Sequence, residues 1–191
     1  MAGEIVAGGP AVLQRIVDFV NTRGADSDGL GTSEQLTSWL HTHDLLPVCA
    51  QANGDDRERA VWLREGLRAL LAENNAEPVT SPRPDGLDPT ARTELATLTA
   101  ALPLHLDVTG GLPRLAPQTR QPVDYALSIL LADVATAVAA GTWPRLKACR
   151  EPSCRWAFYD QSRNHGRTWC SMNVCGNRVK VRASQRRRAA G

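Results

Sequence analysis

The chain has 191 residues, with 22 Lys+Arg against 20 Asp+Glu and 42% apolar residues, a length that holds one helical domain of ordinary size plus a small module. The charge is unevenly spread, with 12 basic and 2 acidic residues from Arg145 onward against 10 basic and 18 acidic before it. Such a cationic block attracts polyphosphate through counterion release, while an acidic partner domain avoids wrapping on the same polymer. An acidic residue, Glu4, stands where a signal peptide needs cations. No apolar run approaches bilayer-spanning length, so the sequence predicts a cytoplasmic protein with no membrane partner.

In chain order, the first predicted helix covers 10–24, with Val12, Leu13, Ile16, Val17 and Val20 on one stripe and a stop near Gly24. After a loop at 24–31, Thr32 or Ser33 caps a second helix that carries Leu36, Trp39 and Leu40 and breaks before Pro47. The third, over 55–74, opens on acids and shows Val61, Leu63, Leu67, Leu70 and Leu71 on one face. A proline-rich connector, PVTSPRPDG, leads to a fourth helix over 88–102.

The period then changes from helical to alternating. Leu104, Leu106 and Val108, a turn at Gly110 and Gly111, and a return over 112–115 predict a small hairpin. A last helix is predicted over 122–140, with Leu127, Leu130, Leu131, Val134 and Val138 on its buried side, and Gly141 ends it. The segment TWPRLKAC reads as a hinge.

Beyond the hinge come four cysteines, Cys149 and Cys154, then Cys170 and Cys175, the pairs separated by fifteen residues. Two such pairs complete the tetrahedral thiolate shell of one Zn²⁺, and four thiolates leave no position for a reactive water, so the predicted ion is structural. Trp156, Phe158 and Tyr159 predict one strand, SRNHG a turn, and Thr168 with Trp169 a second strand. VKVRASQRRR predicts a helix starting at or just before Cys175, with Arg178, Arg182 and Arg186 in one row. Knuckle, hairpin and helix in that order make a treble clef, with a helix N-terminus that favours thiolate. Cys49 is left over, expected to be a small buried apolar residue. Asp160 is expected to pair with an arginine inside the finger, and His165 to be solvated.

These residues resemble the bacterial CGNR zinc-finger proteins, named for the tetrapeptide that is Cys175, Gly176, Asn177 and Arg178 here. The pattern is also met at Phe158, Asp160, Ser162, Arg163, Asn164, Trp169, Ser171, Met172 and Lys180, and it departs at Thr168, where a second arginine is usual after Arg167. DFVNT (Asp18 to Thr22) and TSEQLTSWL resemble the ABATE domain that precedes this finger. The resemblance implies a stress-related transcription regulator whose finger binds DNA.

The fold class expected is therefore mostly α: a helical domain with a small hairpin over 1–143, serving effector binding or dimerisation, and a basic treble-clef-like zinc finger over 144–191. Candidate nucleic-acid contacts are Arg163, Arg167, Asn177, Arg178, Lys180, Arg182 and Arg186, held on a metal-stiffened scaffold. Asn177 could read adenine or tie the finger together. Asp18, Asn21 and Thr22 could satisfy a helix end or line an effector pocket for a small molecule, and the domain could pair as a homodimer. An RNA binder, or an interaction module with the finger as a cap, are the alternatives to a duplex-DNA regulator. An enzyme is not expected, because no nucleophile and base, paired carboxylates or phosphate-cradling glycine loop stands at a recognisable spacing.

Overall fold

The structure, a computed structural model, describes residues 11–24, 26–75 and 90–189. The proline-rich connector and the first residues of the predicted fourth helix lie outside them. The order is α1 (Ala11–Val20), α2 (Ser33–Thr42), α3 (Gly54–Glu73), α4 (Ala91–Ala101), β1 (Leu104–Asp107), β2 (Arg114–Pro117), α5 (Pro122–Ala139), β3 (Leu146–Ala148), β4 (Ala157–Tyr159) and α6 (Asn177–Ala189). It is a mostly α chain with two antiparallel two-stranded hairpins.

The helices start where their caps say they should. Thr32 accepts from the Gln35 N–H while the Gln35 side chain accepts from the Thr32 N–H, and Asn53 and Asp56 make the same reciprocal box at the head of α3. Gly141, in the left-handed region at φ +68°, turns the chain after α5. The core gathers Leu13, Ile16, Val17, Phe19 and Val20 of α1, Leu63, Leu67 and Leu71 of α3, and Leu127 and Leu130 of α5. Where α4 crosses α3, a Cβ on Gly66 would lie 2.5 Å from Leu95 Cβ, so the two helices reach this separation only at a glycine.

Four expectations are corrected here. Over its 18 residues α5 has a mean hydropathy of 1.5, long and apolar enough by itself to cross a bilayer. In this fold it is a core helix whose Val123, Ala126, Leu127, Leu130 and Ala137 are buried, while Val138 stands exposed past the last buried turn. The return strand of the first hairpin is Arg114–Pro117, not 112–115, because Asp107 accepts from Thr109 N–H and Oγ1 and pairs with Arg114, which widens the turn. Cys49 is exposed, next to a fully solvated Val48.

Asp133, buried on α5, meets Arg15 of α1 at 2.7 Å, yet burial outweighs the guanidinium and pushes its carboxyl up to about 6 from 3.8. The native state therefore holds this proton more tightly than the unfolded chain. Its contribution is fully present below 3.8 and lost as pH rises through about 6. Relative to Asp133→Asn, a neutral isostere, wild-type stability should fall by roughly 1–3 kcal/mol over that window. Urea midpoints of the two proteins measured across the range check this; a constant difference would mean that folding does not shift the Asp133 carboxyl.

Candidate metal centre

The finger is built on β3 and β4, which pair Leu146 with Tyr159, Lys147 with Phe158 and Ala148 with Ala157. Alternation divides this ribbon between two cores. Leu146, Ala148 and Ala157 belong to the core of the helical domain, with Tyr159 packed against it, whereas Phe158 lies with Cys149 and Cys175 in a small second core. The segment read as a hinge thus runs from a 3-10 turn, Trp143–Arg145, into a buried strand. That strand, and not Thr168 with Trp169, is the partner of Ala157–Tyr159.

Lys147 is the polar residue on the finger-facing side of β3, and it is buried. Its ammonium donates to Asp160 Oδ2 at 2.7 Å, His165 O at 2.5 Å and Arg167 O at 3.3 Å, which uses all three of its protons. Asp160 in turn accepts from Ser162 N–H and Oγ and from Arg167 N–H. Burial opposes its ionisation, but Lys147 and Ser162 hold its carboxyl down to about 2. The partner of Asp160 is therefore a lysine, not the expected arginine, because β3 aims Lys147 into the loop. One buried ion pair shapes residues 160–167 and so sets where Cys170 stands.

The knuckle closes on its own hydrogen bonds. Cys149 N–H donates to Trp156 O, Cys154 N–H and Arg155 N–H both donate to Glu151 O, and Arg155 takes a left-handed φ of 51° to turn the chain back. The other cysteine pair is held by a π-helical turn, Met172–Gly176, which leads directly into α6; Ser171 Oγ accepts from Val174 N–H, and Cys175 N–H donates to Ser171 O. Gly176 sits beneath Met172 and Trp169, so that a Cβ there would meet Met172 Sδ at 2.5 Å.

These supports bring the four Sγ atoms within 4.8 Å of one another, with Cys154 to Cys170 at 3.5 Å and Cys170 to Cys175 at 3.7 Å. A zinc–sulfur bond of ~2.3 Å gives a tetrahedron with edges of about 3.8 Å, so the donor set fits the ion. Protonation agrees. S–H donation from Cys149 and Cys170 favours thiolate at Cys154, whereas hydrogen bonds with Cys149 and Cys154 push the Cys170 thiol up, and burial followed by the charge of Cys149 pushes up Cys175. Four thiolates this close need a cation between them.

The predicted cationic residues divide into three groups. Arg167 folds back on the finger: its guanidinium lies 4.8 Å over the Phe158 ring, Nε donates to Trp169 O, and Nη2 donates to Cys170 O. Arg182 donates to the buried Glu151 at 2.8 Å, tying α6 to the knuckle. Arg163, Arg178 and Lys180 are exposed and form no ion pair among the described residues. Asn177 Nδ2 donates to Asn173 O inside the turn, which fits its role as a tie. Arg186 falls on α6, with its side chain outside the described residues.

Of the N-terminal candidates, Asn21 serves the joint between domain and finger, while Asp18 and Thr22 bond within the helical domain. Asn21 donates to Ala157 O at 3.0 Å and accepts from Ala157 N–H at 2.7 Å, so one side chain mimics a strand edge against β4. Thr22 donates to Phe19 O and accepts from Arg64, and Asp18 accepts from Gln14. Sequence reasoning missed the rest of this joint. Arg68 donates to Arg155 O and Val20 O, Asn74 to Trp143 O and Leu146 O, and Asn75 to Ala148 O and Thr168 O. The one available signal was polar residues interrupting the apolar stripe at the end of α3.

A helical domain carrying a four-cysteine finger on a shared ribbon defines a two-part zinc-finger protein. The pattern of the CGNR zinc finger matches residues 145–188, and that of the ABATE family, described as "Putative stress-induced transcription regulator", matches 13–141. The chain belongs to the ABATE family and carries a CGNR finger with a structural zinc site. None of the curated proteins matches it.

Proposed function

We propose that this protein is a non-enzymatic, cytoplasmic regulator that binds duplex DNA through α6 and the adjoining loop of the finger. One observation carries the reading: α6 bears six basic and no acidic residues, and its first two cations, Arg178 and Lys180, form no ion pair among the described residues and stand beside the metal-fixed turn. A rigid mount lowers the entropic cost of holding cations at phosphate spacing. Arg163 would reach a neighbouring phosphate from the loop, while Arg167 and Arg182 keep the mount in shape.

The test is the salt dependence of binding by the zinc-loaded protein to a mixed-sequence duplex. Lys180→Ala and Arg163→Ala should each flatten the log–log slope by about one unit. Slopes unchanged in both variants would discard the phosphate assignment. Stronger competition by duplex RNA than by duplex DNA at equal salt would replace DNA with RNA as the partner.

A further inference from the structure

The cationic helix carries an apolar stripe that phosphate binding does not use. Asn173, Val174, Asn177, Arg178, Val181 and Arg182 line an open groove of about 470 Å³ along one side of α6 and the turn before it. The spacing, with steps of three, four and seven, puts them on one face. Val174 and Val181 are 50% and 55% exposed, and Met172 beside them is 53% exposed. Single exposed apolar side chains are ordinary. Here two of them line one groove together with two arginines and two amides.

We propose that this groove reads base edges in the major groove, with Val174 and Val181 packed against the C5-methyl groups of two thymines and Arg178 between them facing a guanine. The inference rests on the DNA-binding reading and adds sequence preference to it. Charge and shape choose the occupant. On a helix with no acid, Arg178 at the groove and Lys180 near it repel basic partners and suit a polyanion, whereas Arg182 is already paired with Glu151, and a helix ~10–12 Å across fits a major groove about 12 Å wide. Thymine methyl is the apolar feature displayed there, and guanine offers the two acceptors that match a guanidinium.

The stripe also sets a spacing. Seven residues at a rise of about 1.5 Å separate the valines by roughly 10 Å, or about three base steps. Arg178 falls near the midpoint. The preferred site should therefore hold two thymines about three steps apart, on either strand, flanking a guanine. The mount is stiff enough to hold that register: Ser171 caps the turn, Asn177 bonds Asn173 O, and Arg182 is fixed to Glu151.

Selection from a random duplex pool with the full-length, zinc-loaded protein should return that spacing. Replacing each selected thymine by deoxyuridine removes only the methyl and should weaken binding by roughly three- to fivefold. Val181→Ala, at an exposed helical position, should abolish the response at one of the two thymines while leaving the salt slope unchanged. Duplex binding with a normal slope but no thymine preference, or a deoxyuridine response that survives in Val181→Ala and Val174→Ala, would overturn base reading and leave the regulator reading standing. Absence of duplex binding at low salt would remove both.

Discussion

Stripping zinc with a chelator, or replacing Cys149 with Ser, is expected to melt α6 and to weaken the helical domain with it. The thiolate core is small, Phe158 and the cysteines with Trp169 against them, and a structural zinc contributes on the order of 10 kcal/mol or more to folding such a module. The damage spreads because β3 and β4 face both ways. If the ribbon frays, Leu146, Ala148 and Ala157 leave the main core, and Arg68, Asn74 and Asn75 lose the carbonyls they serve. Each buried donor left unmet costs about 1–3 kcal/mol. The remaining helices keep most of their circular dichroism, but their melting temperature should drop by roughly 10 °C or more. Calorimetry with and without metal decides it; a helical-domain transition that ignores zinc would show that the ribbon survives on the main core alone.

Arg64→Ala is expected to cost about 3–5 kcal/mol, the range for breaking a buried ion pair from one side. Arg64 is 0% exposed in the middle of α3. Its Nη1 and Nη2 donate to the two oxygens of Asp28 at 2.5 and 2.9 Å, its Nε donates to Glu65 at 2.8 Å, and Nη1 also reaches Thr22 Oγ1. Burial raises the Asp28 carboxyl, but Arg64 and the Leu30 N–H outweigh it and hold it below its ordinary value. With Arg64 truncated, the loop at 26–30 keeps its bond from Arg57 and its buried Leu30 but loses the pair on Asp28, and Glu65 is left to Arg68 and the longer contact with Arg23. Arg64→Met, which refills the volume without charge, should recover part of the loss. Urea unfolding of the two variants measures both effects, and a cost under about 1 kcal/mol for Arg64→Ala would mean that water replaces the guanidinium.

What could be read in the sequence was local. Apolar stripes placed α1, α3 and α5 within a few residues of their observed ends, because the helical period and the caps act over neighbouring positions. Paired cysteine spacing was enough for the metal centre, since each pair is fixed by one turn of chain. The second hairpin was misread because its strands are three residues each and its first lies upstream of the first cysteine, where the alternation Leu-Lys-Ala is too short to mark a strand. Lys147 with Asp160, and the amides on Ala157, Leu146 and Ala148, join residues 13 to 136 positions apart. Nothing in a single sequence records which distant backbone group such a side chain will meet. Arg167 and Arg182 looked like their neighbours in the basic run, and only geometry separates the cations that brace the finger from those that face outward.

The pair of hydrogen bonds between Asn21 and Ala157 bears on how this finger can be handled as a reagent. A fragment beginning at the edge of the CGNR match would carry an open strand edge where Asn21 had been, and would lack the amides from the far end of α3. Chimeras meant to transplant the finger onto another protein should bring both helix ends along, or supply substitutes for them, before a failure to bind is blamed on the transplanted surface.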